Sequence, residues 1–332
     1  METKMMTGTI PGLNRPVSRI FFGTAIPPVM TDEPGAPELL DSVLAAGVNA
    51  FDCARSYGRA ENALGRWIES RGCRDQVTVL SKCGDIRDGI VKVNREVIQD
   101  QLARSLDALR MNTVDIYLLH RDDPDTPVGE IIDTLSEARQ AGQVRIFGVS
   151  NWTCPRIREA NAYAAAHGLS GFSVSSPNYG LAVQVEDLWG GGCVSLSGPE
   201  NRDARAWYAE NQMPVIAYSS LGRGFFSGRF RSDDPEAAGR VLDPYARKGY
   251  LYPINLERLR RAETLADREG CAVSEIAMRY VFSSPMNVFA VVSTKSADRL
   301  RMNIRAAGMP LTGEDVSYLE GGDFSVCSIP AG

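Results

Sequence analysis

The sequence predicts an α/β protein, a (β/α)8 TIM barrel with an N-terminal hairpin and long loops at the C-terminal face. Three observations carry that expectation. Eight short apolar, β-branched runs recur along the 332 residues: RIFFGT (19–24), VNAFD (48–52), VTVLSK (77–82), VDIYLLH (114–120), VRIFGVSN (144–151), FSVSS (172–176), PVIAYSS (214–220) and VFAVVST (288–294). Most are near-continuous rather than alternating, as parallel strands covered on both faces require. Helical patterns stand between them at the spacing of βαβ units, roughly 30 residues each. Eight such units take typically ~250 residues, which leaves room for insertions.

The elements follow in order. Residues 1–18 carry turn signals at Pro11-Gly12 and Asn14 and are expected to form a hairpin over the barrel floor. In 36–46, Leu39, Leu40, Val43 and Leu44 make one stripe, and Gly47 is a natural stop. In 94–109, Ile98, Leu102, Leu106 and Leu109 do the same behind an Asn94 cap. In 128–141, Ile131, Ile132, Leu135 and Ala138 face one way, and Gly142 ends the helix. Thr153 and Pro155 open the next helix and Gly168 closes it. Further helical segments are expected at 201–211, 256–269, 273–284 and 296–306. Two stretches look inserted, 181–200 and 222–255, each long for a compact domain. No linker or low-complexity tract interrupts the chain, so residues 1–332 read as one domain. The competing doubly wound fold wants a glycine-rich turn after its first strand, and Phe22-Gly23-Thr24-Ala25 is not one.

Composition narrows the partners. Hydrophobic content of 44% and charged content of 23% are ordinary for a globular protein, and the net charge of -5 argues against nucleic acid. The N-terminus has no apolar signal region, and no run approaches the ~18 residues of a membrane-spanning helix, so a cytoplasmic protein without membrane partners is expected. The seven cysteines are scattered without a CxxC pair, which fits reduced thiols. With two histidines, no metal site is expected.

In a parallel barrel the chemistry sits at the C-terminal ends of the strands. Read in order, those ends present Asp52, Lys82, His120, and then Ser150 with Asn151. One polar residue there would be read as a turn or cap. Three titratable groups on consecutive strand ends converge on one mouth. Lys82 is the expected partner of buried Asp52, and the pair would tune Tyr57, five residues beyond Asp52. A nearby ammonium favours a phenolate, so the phenol gives up its proton more readily. A phenol acid, a lysine and a histidine around one oxygen suit carbonyl reduction, in which hydride reaches carbon as a proton reaches oxygen.

The motifs FDCARSYGRAEN, LSKCG, IYLLHRDDP, RIFGVSN and YSSLGRGFFSGR together resemble the aldo-keto reductase family over roughly residues 8–310. The resemblance implies a catalytic tetrad of Asp52, Tyr57, Lys82 and His120, with Tyr57 as general acid and His120 orienting the carbonyl. It implies NADP(H), with NAD(H) as the alternative. Ser150 and Asn151 would bind the carboxamide, and Tyr218 would stack under the nicotinamide ring. Gly23 and Thr24 would lie near ring and ribose, and Ser219, Leu221, Arg223 and Gly224 near the pyrophosphate.

Two positions depart from the family pattern. Ser176 stands where a glutamine is usual, so the carboxamide is held by a shorter side chain. Ser293-Thr294-Lys295 replaces the Pro-Lys-Ser run that follows the last strand, while Arg299 and Asn303 keep the spacing that puts them on one helix face to read a 2′-phosphate. The expected substrate is a small carbonyl compound, sugar-like or aromatic, and a homo-oligomer is compatible with the sequence. The alternative is a barrel that binds nucleotide without turnover, as a sensor or structural member of the same fold.

The pocket rim is expected from residues 25–30 (with Pro27, Pro28 and Met30), Tyr57, Trp152 and the two insertions, with Arg121, Asp122 and Asp123 gripping hydroxyls; a tryptophan packed after its strand is the equal alternative for Trp152. GRGFFSG is off by one from a dinucleotide fingerprint and does not open a βαβ unit. WGGGC reads as a flexible surface loop. Cys53 and Cys83 are expected to point away from the site by strand alternation.

Overall fold

The computed structural model describes residues 5–85, 89 and 92–321. Its core is a closed barrel of eight parallel strands: β3 (Ile20–Gly23), β4 (Ala50–Asp52), β5 (Thr78–Cys83), β6 (Val114–Leu119), β7 (Val144–Ser150), β8 (Ser175–Ser176), β9 (Val215–Ala217) and β10 (Val288–Val292), with β10 closing on β3. Seven fall inside the expected runs, and β5 runs one residue past its own, to Cys83. A closed barrel has no strand edge to leave unpaired.

Alternation along the strands decides what faces inward. Phe21, Ala50, Leu80, Ile116, Ile146, Val174, Ile216 and Phe289 fill the barrel interior. Their chain neighbours Phe22, Phe51, Val79, Tyr117 and Phe147 pack outward against the helices. Stepping two residues on from Ala50, Leu80 and Leu118 reaches Asp52, Lys82 and His120. The site is therefore the layer above the apolar plug, set by a period of two. The floor is closed by the hairpin β1 (Thr7–Gly8) and β2 (Val17–Ser18), which is antiparallel. It inserts Ile10 and Val17, both fully buried, into the interior cluster, with Leu13 packed against it.

The helices are α1 (Pro27–Met30), α2 (Ala36–Ala45), α3 (Ala60–Arg71), α4 (Arg95–Leu109), α5 (Val128–Gln140), α6 (Cys154–Ala166), α7 (Arg202–Asn211), α8 (Pro235–Val241), α9 (Pro244–Tyr250), α10 (Pro253–Glu269), α11 (Val273–Phe282), α12 (Ala297–Ala307) and α13 (Gly313–Glu320). Asn94 caps α4 by accepting from the Val97 N–H, and Thr153 caps α6 by accepting from Arg156 N–H. Helix α3 was not among the expected segments. Its stripe is present in Ala60, Ala63, Leu64, Trp67 and Ile68, all buried, and Gly72 ends it in the left-handed region. Helix α13 was also missed, since it buries Leu319 alone.

The second inserted stretch corrects its reading as a loop. It contains α8 and α9, each begun by an Asp-Pro pair in which Asp234 or Asp243 accepts from the backbone N–H three residues on. That capping signature was present in the sequence. The first inserted stretch remains irregular; its Ser195 bridges Asn178, beyond the end of β8, and Asn178 in turn bridges Tyr218, beyond the end of β9.

Close packing of α3 on α4 makes a prediction. A Cβ on Gly65 would stand 2.5 Å from the Leu109 carbonyl oxygen. Helix propensity favours alanine by about 1 kcal/mol, whereas overpacking against backbone costs about 1–3 kcal/mol. Gly65→Ala is expected to lower the unfolding free energy measured in urea, by about 1 kcal/mol or more. A stabilised variant would show that the two helices separate freely.

Candidate active site

The barrel mouth gathers the expected tetrad. Lys82 Nζ donates to Asp52 Oδ1 at 2.5 Å, to the Cys53 carbonyl at 2.9 Å and to the Tyr57 hydroxyl at 3.3 Å. Lys82 is 3% exposed and Asp52 4%. Burial opposes the charge on Lys82, but Asp52 and Tyr57 outweigh it and hold the ammonium above the usual lysine range. Burial pushes the Asp52 carboxyl up, against the pull of Lys82. The Tyr57 and His120 rings meet edge to face, 5.8 Å between centroids.

Residues outside the tetrad hold it. His120 Nδ1 stands 3.2 Å from Asp85 Oδ2, which also accepts from the Ser56 hydroxyl at 2.8 Å. Glu61, 1% exposed, pairs with Arg55 and accepts from the Ser81 hydroxyl at 2.6 Å. The loop carrying Tyr57 is thus tied to the strand carrying Lys82. Neither carboxylate was singled out from the sequence, although Asp85 follows LSKCG directly and Glu61 lies within the quoted AEN motif.

The neighbouring strand ends form one hydrogen-bonded chain. Asn151 Oδ1 accepts from the Tyr218 hydroxyl at 2.7 Å and the Val194 N–H at 3.1 Å. Its Nδ2 donates to the His120 carbonyl at 3.2 Å and the Ser150 hydroxyl oxygen at 3.0 Å. All four hydrogen-bonding positions of the amide are engaged. The Ser150 hydroxyl donates to the Ser176 carbonyl at 2.7 Å, and the Ser176 hydroxyl donates to the Ile216 carbonyl at 2.8 Å. Burial holds the Tyr218 phenol well above its ordinary range. Asn151, Ser219 and Arg223 all adopt positive φ, at 61°, 54° and 52°. Non-glycine residues store strain there, and such strain clusters at functional sites.

These residues line one cleft of about 800 Å³. It includes the tetrad, Gly23, Ser150, Asn151, Ser176, Tyr218, Ser219, Leu221, Arg223, Gly224, Ser293, Thr294, Arg299 and Asn303. A Cβ on Gly23 would stand 2.4 Å from the Ser293 hydroxyl, so the close approach of these strand ends requires glycine. Two expected cofactor residues lie outside the lining. Thr24 is fully buried, and its hydroxyl donates to the Asp52 carbonyl at 2.9 Å. Lys295 is exposed, beyond the wall.

Several rim expectations are corrected. Of the two readings of Trp152 the packed one holds: it is fully buried against Phe172, 5.2 Å between ring centroids. Asp122 pairs with Arg156. Asp123 accepts from the Val93 N–H and the Thr126 hydroxyl. Both carboxylates are spent on structure. Met30 lines the cleft, while Pro27 and Pro28 do not. Trp189, Ser227, Arg229, Tyr245 and Ser274 line it without having been singled out. Trp189 lies in the WGGGC stretch, which is pinned rather than loose. Asp187 accepts from the Trp189 N–H at 2.8 Å and the Cys193 N–H at 2.7 Å. Among the described residues no cluster of His, Cys, Asp or Glu could hold a metal, and no helix is long and apolar enough to cross a membrane.

The charge of the lining is locally reversed against the acidic chain. Arg121, Arg223, Arg229, Arg299 and Lys82 face Asp52 and Asp243. Such a concentration of guanidinium suits an anionic ligand, most of all one bearing phosphates.

Comparisons with known proteins bear on the family and the fold. The family model described as "Aldo/keto reductase family" matches residues 19–322. An aldo-keto reductase of Strobilurus tenacellus is 25% identical over 284 residues, covering 84% of this chain and 78% of the relative. A Schizosaccharomyces pombe aldo-keto reductase whose name carries NADP(+) is 27% identical over 270 residues, covering 79% and 74%. A putative aryl-alcohol dehydrogenase of Saccharomyces cerevisiae is 26% identical, covering 85% and 75%. Among solved structures, a thermostable aldo-keto reductase in complex with the inhibitor epalrestat superposes with a TM-score of 0.69 at 20% identity, covering 95% of this chain and 99% of that one.

The outward strand positions yield a prediction. Cys53 and Cys83 are fully buried on the helix side, and burial pushes both thiols up to about 12. In native protein at pH 8 both are expected to escape alkylation and to react after denaturation. Peptide mass spectrometry reads this, and rapid native labelling of either would place it on the cleft side.

Proposed function

Because this chain belongs to the aldo/keto reductase family, we propose that it is an NADPH-dependent carbonyl reductase that converts an aldehyde or ketone to the alcohol. The observation that carries the proposal is the Lys82 ammonium, buried and shared between Asp52 and the Tyr57 hydroxyl inside a cleft of about 800 Å³. The cleft fits the cofactor on two counts: its guanidiniums match phosphate, and Gly23 leaves room where a side chain would collide with Ser293. The bound dinucleotide supplies the hydride.

This chain's residues supply the rest. Tyr57 donates its proton to the carbonyl oxygen as hydride reaches carbon. Lys82, 3.3 Å away, stabilises the phenolate left behind. Asp52 keeps Lys82 charged and aimed. His120 orients the substrate oxygen. Tyr218 forms the floor beneath the nicotinamide ring. Ser150 and Asn151 meet the carboxamide by exchanging part of the hydrogen-bond chain they make with Tyr218 and Ser176. Arg223, Gly224 and Arg229 take the pyrophosphate end. Arg299 and Asn303, one turn apart on α12, read the 2′-phosphate. Ala25, Ile26 and Met30 give the substrate end an apolar wall, which admits small aromatic or sugar-like carbonyl compounds.

Two measurements test the reading. Tyr57→Phe is expected to lower kcat for aldehyde reduction by about 10²–10⁴-fold while NADPH binding persists. Retained turnover would remove Tyr57 as the acid. Arg299→Met is expected to weaken NADPH by about tenfold or more and to spare NADH, since a charge-assisted bond to phosphate is lost. Equal affinity for the two nucleotides in the parent protein would instead point to dual or NAD-linked use.

A further inference from the structure

Arg121 follows His120 out of β6 and lines the cleft, yet it is 4% exposed. Its partners do not neutralise it. Nη1 donates to the Gly192 carbonyl at 3.3 Å, a long contact, and to the Cys193 sulfur at 3.5 Å, a weak acceptor. Its guanidinium carbon lies 5.6 Å from the centroid of the Trp189 ring. Nε has no hydrogen-bond partner. Among the described residues no carboxylate lies within ion-pair distance of it, in contrast to nearby Arg156, which pairs with Asp122 and Glu159. A guanidinium carries five N–H donors and no acceptor. Burying one without an anion costs more than an aromatic face returns.

The surroundings hold this cation in place. Asp187 fixes the loop that carries Trp189 and Cys193. Gly190, Gly191 and Gly192 run at φ of 88°, 132° and 74°, so the turn against Arg121 needs glycine. The Trp189 ring is 5.7 Å from that of Tyr218. Arg121 is thus one ring layer from the proposed nicotinamide floor and one residue from the proposed carbonyl-orienting His120. The phosphate-bearing end of the cleft has its own guanidiniums in Arg223, Arg229 and Arg299.

We infer that Arg121 receives a carboxylate carried by the carbonyl substrate, so that the substrate is an aldehyde acid or keto acid. The inference rests on the carbonyl-reductase reading of the same site. Arginine is suited to the role because its planar fork meets both oxygens of a carboxylate.

The test compares 4-formylbenzoate with its methyl ester, which keeps the aldehyde and removes the charge. With NADPH, the parent protein is expected to favour the acid in kcat/KM by about 10- to 100-fold, as one charge-assisted pair supplies. Arg121→Met is expected to collapse that acid-to-ester ratio, chiefly through KM for the acid, and Arg121→Lys to restore part of it. Equal reduction of acid and ester by the parent protein, or an unchanged ratio in Arg121→Met, would overturn the inference. If neither compound is reduced, terephthalate binding followed by tryptophan fluorescence reads the anion site directly, independent of turnover. Binding lost in Arg121→Met supports the site, and no binding to the parent protein overturns it.

Discussion

The arrangement turns on one buried ammonium. Lys82 has three N–H bonds and three acceptors, in Asp52, the Cys53 carbonyl and Tyr57. That count explains why the group tolerates near-complete burial. It also fixes the sense of the last bond. The Tyr57 oxygen accepts from Lys82, so the phenol's own hydrogen is directed to a different acceptor. The proposed acid is therefore oriented by a residue that never touches the substrate. A buried ion pair of this kind is weak evidence for stability. Its presence at the top of a barrel that could have been closed with leucine is better explained by chemistry.

The barrel makes that burial geometrically routine. Each strand spends its inward positions on the apolar plug and delivers its next inward position to the mouth. Asp52, Lys82 and His120 are consecutive products of the same alternation, the first two within β4 and β5 and the third one residue past the end of β6. Their outward neighbours Cys53 and Cys83 are sealed under helices by the same rule. Strain enters at the edge of this regularity, where Asn151, Ser219 and Arg223 take left-handed backbone. Those residues flank the cleft where strands give way to loops, and the barrel below is rigid enough to impose the cost.

How much of this was legible in the sequence follows from locality. The eight strands were visible because each is a short apolar run bounded by turn residues. The Lys82–Asp52 pair was visible because both lie at strand ends, where topology alone implies convergence. Helix α3 escaped because its apolar stripe overlaps a stretch dominated by motif residues, and α8 and α9 because glycine and proline richness masked two Asp-Pro caps. The destinations of Trp152, Asp122 and Asp123 were not legible. Each follows a strand end, but whether such a side chain turns to the mouth or back to a helix depends on partners such as Phe172 and Arg156, distant in sequence. The Trp189 loop was misread for the same reason, since its order comes from Asp187 bonds that composition does not reveal.

The saturated amide of Asn151 has a thermodynamic consequence. A ligand carboxamide arriving at this position gains bonds only by displacing bonds already made, to Tyr218, Val194, Ser150 or the His120 carbonyl. The net free energy is then a small difference between two well-bonded states. Such an exchange contributes little to how tightly a dinucleotide is held. It acts instead as a template: a ring substituent that reproduces the displaced donors and acceptors is admitted at near-zero cost, and one that cannot leaves buried polar groups unsatisfied. In this reading Asn151 is a discriminator of cofactor identity, and tightness is delegated to the guanidiniums at the far end of the cleft.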